Sequence, residues 1–203
     1  MTEQQPVVYV VEDDEAVRDS LAMLLQSEDL PVETYETALS FLEQWHPDLA
    51  GCIVLDIRMP GMDGMALQKE LKERNSLLPI IFVTGHGDVP LAVDAMRHGA
   101  VDFIEKPYRE DALLEKIREA LAQDAQQRAS LKERQVIRDR MATLTPREAE
   151  IMDRMIAGQA NKVIAIELDI SQRTVEIHRS RVMHKMGTHS LAHLVRMVLS
   201  VRE

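Results

Sequence analysis

Five times within its first 122 residues the chain sets a short apolar, β-branched run against a longer segment with helical spacing, and beyond that point no such run recurs. The runs VVYVV (7–11), PVETY (31–35), GCIVLD (51–56), PIIFVTG (79–85) and VDFIEK (101–106) predict strands. The segments beginning near Glu15, Thr37, Gly64, Val89 and Arg109 predict helices. The first, third and fourth runs are almost continuously apolar, the pattern of strands covered on both faces. Five successive βα units close into a right-handed, doubly wound parallel sheet whose ligands gather beyond the carboxyl ends of the strands.

Residues 123–143 change character: polar, rich in Gln and Arg, and without Gly or Pro until Pro146. They predict a mostly helical linker. Leu114, Ile117, Leu121 and Ala125 begin a coiled-coil seam that the polar positions after them do not sustain. Residues 144–203 predict four short helices and no strand. Thr145 is a cap with Pro146 at the first helical position, Glu148 completes a capping box, and Gly158 stops that helix. NKVIAIELD, a segment from Ser171 to about Gly187, and SLAHLVRMVLSV follow.

The net charge of −10 is unevenly spread. Residues 1–122 carry 24 acids against 10 bases, a net of −14, whereas residues 123–203 carry 10 acids against 14 bases, a net of +4. Opposite signs point to different partners for the two halves. No run of eighteen apolar residues occurs, and the start, MTEQQPVVYVVEDDE, lacks a basic segment followed by an apolar one, so a cytoplasmic protein without a membrane partner is expected. Cys52, the sole cysteine, excludes an internal disulfide and suits a small core hydrophobe.

Glu12 and Asp13 follow the first strand, Asp56 ends the third, Thr84 the fourth and Lys106 the fifth, so all five converge on one edge of the sheet. Three carboxylates in one cleft repel one another unless a cation sits among them. Mg²⁺, a hard ion that takes oxygen ligands and bridges to phosphate, fits best, and Mn²⁺ is an acceptable substitute. A lysine and a hydroxyl beside such a site are suited to a phosphoryl group's remaining oxygens. Taken singly, each feature has a plainer explanation: acids favour the first turn of any helix, and Asp63-Gly64 is a common turn.

In the basic half, SQRTVEIHRSRVMHKMG carries Arg173, Arg179, Arg181 and Lys185 against Glu176 alone. Helical spacing puts Val175, His178, Val182 and Met186 on a packing side, and Arg173, Glu176, Ile177, Ser180 and His184 on the other. A short helix, a tight turn at Asp169 and Ile170, and a capped cationic helix predict a helix-turn-helix. Lys162, Ser171, Arg173, Thr174, Arg179 and Arg181 suit DNA phosphates, while Glu176, Ile177 and Ser180 face bases. A solvated basic face on a packing helix is the plainer alternative for the charges alone.

The motifs VVEDD, VLDIRMPGMDG, VTGHGD and GAVDFIEKP, in that order between Val7 and Leu121, resemble the receiver domains of two-component response regulators. LTPREAEIM, ANKVIAIELDIS and RTVEIHRSRVMHKM resemble the output domain of LuxR and FixJ regulators, so the chain as a whole resembles FixJ/NarL-type response regulators. The resemblance implies a flavodoxin-like doubly wound α/β receiver of five parallel strands, followed by an all-α four-helix helix-turn-helix domain. It implies that Asp56 accepts a phosphoryl group from a sensor histidine kinase, with Glu12, Asp13, Asp56 and the backbone carbonyl of Arg58 holding the metal. Thr84 and Phe103 would act as the switch, Lys106 would pair with the phosphate, and Lys106-Pro107 would be cis. Val89–Glu105 would form a dimerising face, with Val89, Pro90, Leu91 and Val93 on it, and the last helix, through Leu191, Leu194, Val195 and Val198, would dimerise on DNA. A homodimer on a two-fold double-stranded site, contacting RNA polymerase, is the expected active form. Such a protein is a switch rather than an enzyme. An aspartyl-phosphate enzyme would place a second carboxylate two residues after the nucleophile, where this chain has Arg58.

Overall fold

A computed structural model describes residues 5–85 and 89–202, apart from the side chain of Val89. His86, Gly87 and Asp88 of the VTGHGD motif therefore lie outside the described residues, as do residues 1–4 and Glu203. The chain divides into two compact units, Met1–Arg128 and Ala129–Glu203.

In the first unit the five apolar runs are the strands β1 (Val7–Val11), β2 (Val32–Tyr35), β3 (Gly51–Leu55), β4 (Ile80–Thr84) and β5 (Asp102–Glu105). They alternate with α1 (Glu15–Ser27), α2 (Ala38–Gln44), α3 (Gly64–Glu73), α4 (Val89–Arg97) and α5 (Glu110–Ala142). Every pairing is parallel and the order is β2-β1-β3-β4-β5. All residues of β3 and β4 are buried, whereas the edge strands β2 and β5 have none buried. The strand period of two splits the apolar residues into two layers. Tyr9, Val11, Ile53, Leu55 and Phe82 meet Phe41, Leu67 and Leu71 on one side, while Val8, Val10, Cys52, Val54, Ile81 and Val83 meet Leu21, Leu25, Leu113 and Ile117 on the other. Each fully buried Val, Leu or Ile contributes about 1.5–3 kcal/mol of burial. Cys52 behaves as a core hydrophobe, its thiol pushed up to about 12 by burial.

The strand order decides where a ligand can sit. From β1 the chain crosses to β2 on one side and returns to β3 on the other, so the connections leaving β1 and β3 part and open a crevice at their carboxyl ends.

The second unit contains, after the end of α5, helices α6 (Pro146–Ile156), α7 (Asn161–Glu167), α8 (Gln172–Met186) and α9 (Leu191–Arg202), and no strand among the described residues. Thr145 and Glu148 form the reciprocal capping box that starts α6, and Gly158 follows it at φ +76°. Asp169, at φ +51°, makes the turn before Ser171, whose hydroxyl caps α8 by accepting from Thr174 N–H at 3.0 Å. Ile151, Met152, Met155, Ile164, Val175, Val182, Met186, Leu194 and Val198 form the core, and Ile137 of α5 joins them.

One expectation fails here. Leu194 and Val198 are fully buried in that core, so α9 does not present them as a dimerising side; Leu191 and Leu199 are its exposed leucines. On α4, Pro90 and Val93 are exposed, while Leu91 packs against the receiver core.

Candidate functional site

The acid site is built by strand ends. Glu12 and Asp13 leave the sheet just after β1, Asp56 just after β3, and the Asp56 N–H donates to the carbonyl of Val11 at 2.9 Å, tying the two ends together. Glu12, Asp13 and Asp56 each turn a carboxylate oxygen inward, and the three oxygens lie within 4.8 Å of one another. Lys106 N–H donates to the carbonyl of Thr84 at 2.8 Å, which brings the ends of β4 and β5 to the same edge. Lys106 Nζ donates to Glu12 at 2.6 Å and stands 3.9 Å from Asp56 Oδ1. The Lys106-Pro107 bond is cis. Thr84 is buried at the end of β4, and Phe103 is half-buried on β5 against the first core layer.

Charge in this crevice is incompletely balanced. Glu12 and Asp56 are only 3% and 8% exposed. Loss of water holds the Glu12 carboxyl above the usual carboxylate range, with the Lys106 hydrogen bond and charge opposing and the Asp56 charge reinforcing that shift. Asp56 Oδ1 is buried with no hydrogen-bond partner, since 3.9 Å from an ammonium is too far for one. A buried orphan lone pair costs about 1–3 kcal/mol, more on a charged group. Three hard oxygen donors, one of them unsatisfied, fit a divalent cation such as Mg²⁺.

The MPGMDG loop is folded back over Asp56. Asp63 caps α3 by accepting from Ala66 N–H at 2.7 Å, and the Gly64 N–H donates to Ile57 at 2.9 Å. A Cβ on Gly64 would stand 2.3 Å from the carbonyl oxygen of Asp56, so only glycine permits this approach. Beside it lies a cleft of about 590 Å³ whose lining includes Asp13, Arg58, Met59 and Asp63. From α1, Arg18 steadies the other wall by donating to the carbonyls of Glu12 at 2.8 Å and Asp13 at 3.3 Å.

On α8 the two-sided prediction is realised. Val175, Val182 and Met186 are buried, whereas Arg173, Glu176, Ile177, Ser180 and His184 are exposed, Ile177 to 46%. Lys162 on α7 and Arg181 on α8 are exposed, and Arg179 and Thr174 are half-buried. Among the described residues, Lys162, Arg173, Arg179 and Arg181 form no ion pair within the chain. The hydroxyls of Ser171 and Thr174 lie 2.8 Å apart, engaged with each other in the cap.

Lys185 is not one of these free cations. Its Nζ donates to the buried Glu148 at 2.6 Å and to the carbonyl of Thr143 at 2.9 Å. These bonds and those of Thr145 hold the Glu148 carboxyl down to about 2. Periodicity does contain the signal: Lys185 lies three residues after Val182 and so faces the core side. Two further contacts have no periodic signature. Asp124, buried in the first unit, accepts from Gly51 N–H at 2.9 Å and pairs with Arg128; Arg140 reaches the carbonyl of Met186 at 3.0 Å.

Comparison with known proteins agrees with both sites. Residues 8–118 match the response regulator receiver domain, and residues 142–198 match the bacterial regulatory proteins of the luxR family. The chain is 47% identical over 192 residues to the transcriptional regulatory protein FixJ of Bradyrhizobium diazoefficiens, covering 95% of this chain and 94% of FixJ. It is 40% identical over 203 residues to the response regulator protein TodT of Pseudomonas putida, covering all of this chain and 89% of TodT. The solved structure of the response regulator StyR superposes with a TM-score of 0.88 at 42% identity, covering 96% of this chain and 98% of that one.

Proposed function

The chain belongs to the response regulators that join a receiver domain to a LuxR-type DNA-binding domain, and we propose that Asp56 is its phosphoacceptor and that phosphorylation there promotes DNA binding. Its family regulates transcription and is not an enzyme; a receiver implies a sensor kinase as partner, and a LuxR-type domain implies DNA. One observation carries the proposal: the buried Asp56 carboxylate, with an unsatisfied oxygen, sits within 4.8 Å of two further acids and beside a lysine.

Receiver domains bind Mg²⁺ through acidic residues, and this chain gathers Glu12, Asp13 and Asp56. These three, with the backbone carbonyl of Arg58, would hold Mg²⁺ in this site, and Mn²⁺ in its place. When bound, the ion supplies positive charge that offsets carboxylate repulsion and the charge developing on a transferred phosphoryl group. The protein's own residues do the remainder. A carboxylate oxygen of Asp56 attacks phosphorus, the bond from phosphorus to the kinase's histidine nitrogen breaks, and the freed imidazole takes its electron pair and then a proton from solvent. An aspartyl phosphate results, bearing about −1.5 to −2 charge where a single negative charge stood. Lys106, already 3.9 Å from Asp56, pairs with it by exchanging its bond to Glu12. The hydroxyl of Thr84 turns onto the phosphoryl oxygens, and Phe103 follows into the space this opens.

In the second unit, Lys162, Ser171, Arg173, Thr174, Arg179 and Arg181 contact phosphates while Glu176, Ile177 and Ser180 face base edges. Four cations lacking internal partners support this assignment. The active form is a homodimer on a two-fold site, joined through exposed Pro90 and Val93 of α4, and it contacts RNA polymerase. Incubation with radiolabelled acetyl phosphate and Mg²⁺ should label the unaltered chain and leave Asp56→Asn unlabelled with its circular dichroism unchanged. Footprinting with and without acetyl phosphate then reads the coupling to DNA. Labelling that persists in Asp56→Asn would sink the assignment.

A further inference from the structure

The luxR-family match begins at residue 142, yet the folded unit that carries α8 begins thirteen residues earlier, at Ala129. Two residues before the match are integral to it. Ile137 is 4% exposed within the core that α8 shares, and Arg140 sends Nη1 to the carbonyl of Met186 at 3.0 Å. Met186 is the last residue of α8, and its carbonyl is one of the four that a helix leaves without internal partners. A guanidinium placed there satisfies a carbonyl and opposes the negative end of the helix dipole.

The contact is close-fitted. Gly187 ends α8 in the left-handed conformation at φ +67°, and a Cβ on it would lie 2.8 Å from Arg140 Nη1 and 3.0 Å from the guanidinium carbon. A second cation ties the same end of α8: Lys185 donates to Thr143 and Glu148, both close after α5. By contrast, the first turn of α8 is held by its own Ser171 cap. Base reading demands that Glu176, Ile177 and Ser180 be held within about 0.5 Å and 10–20° of the productive pose. The last turn of α8 is where the fold supplies that restraint from outside the helix.

We propose that the last turns of α5 are part of the DNA-binding machinery, with Arg140 a positioning residue that holds the recognition helix α8 for sequence-specific contact. This rests on α8 being the DNA-reading helix and does not depend on phosphorylation of Asp56. The test uses the full chain, a duplex site that the unaltered chain selects from a random pool, and an unselected duplex of equal length. Arg140→Ala should lower affinity for the selected site about tenfold, the value of one charge-assisted hydrogen bond, at a temperature well below melting. Affinity for the unselected duplex and the salt dependence should stay unchanged, because no phosphate contact is removed. Arg140→Lys should recover part of the loss, and Arg138→Ala, which removes an exposed charge from the same helix, should leave the ratio of the two affinities unaltered. If Arg140→Ala melts below the assay temperature, Arg140→Gln, which keeps a donor without the charge, carries the same comparison. Unchanged selected-site affinity, or an equal loss on both duplexes with a shallower salt slope, would overturn the proposal. Failure of the unaltered chain to bind any duplex would remove the DNA reading itself, a distinct result.

Discussion

The crevice at the ends of β1 and β3 and the outer face of α8 handle charge in opposite ways. In the crevice, three carboxylates share one lysine in a space nearly closed to water, leaving an acceptor, Asp56 Oδ1, unsatisfied. On α8, Arg173, Arg179 and Arg181 share no acid, and two of the three lie fully open to solvent. What each region lacks identifies what it binds: a compact cation in the first, a run of anions in the second. The cost differs too. Buried like charges are expensive until neutralised, so the receiver site is poised to respond to a small ligand; exposed cations cost little and act through the summed field.

The sharpest way to break the comparison is to delete the uncompensated charge. Replacing Arg173, Arg179 and Arg181 together with Ala should cut the slope of log affinity against log salt by about 2.7, at about 0.9 per phosphate contact. A slope that does not move, measured by fluorescence anisotropy across salt concentrations, would show that the helix is merely a solvated face. In the crevice, Gly64→Ala should destabilise the first unit by on the order of 2 kcal/mol, because its Cβ meets backbone atoms of Asp56 and Ile57 that must shift. Urea unfolding gives the magnitude, and labelling by acetyl phosphate should fall with it. A smaller and more local effect separates reading from holding: Glu176→Ala should relax preference at one base pair by about 1–3 kcal/mol while leaving the salt slope unaltered.

The mildest effect concerns Glu148, an acid that, unlike those of the crevice, is fully partnered. Its carboxyl is held from 4.5 down to about 2, so it stabilises the folded state above the unfolded value, and that contribution is lost as pH falls toward 2. Glu148→Gln should melt earlier than the unaltered chain at pH 6, and the two melting temperatures should converge between pH 4.5 and about 2. A gap constant across that range would mean that packing, not the charge, sets the difference.

Much of the receiver could be read directly. Continuous burial of β3 and β4 makes their runs conspicuous, and because each strand delivers its next residue to the same edge, Glu12, Asp13, Asp56, Thr84 and Lys106 were identifiable from position alone. The output half was less transparent. Leu194 and Val198 share the spacing of a dimerising stripe, but that spacing equally describes a helix whose stripe faces its own core, and the core takes them. Ile137 stands alone in a polar tract, with no periodic companions to announce a buried face. Asp124 is a charged residue at 1% exposure, a placement that burial tendencies disfavour and that is tolerable only because the Gly51 N–H and Arg128 reach it from elsewhere in the fold.

Chain order and residue type alone determined the parallel α/β half, the edge that holds the acids, the capped cationic helix and the opposite charge of the two halves, because these follow from local periodicity and from where strands end. Only the tertiary structure decided which cations are spent inside the protein and which remain for a partner. Lys185 and Arg140 are consumed by Glu148 and by the end of α8, while Arg173 and Arg181 are left over. A lysine or arginine is the same residue in either role, and its long side chain is assigned by whichever acceptor the folded chain brings within hydrogen-bonding reach.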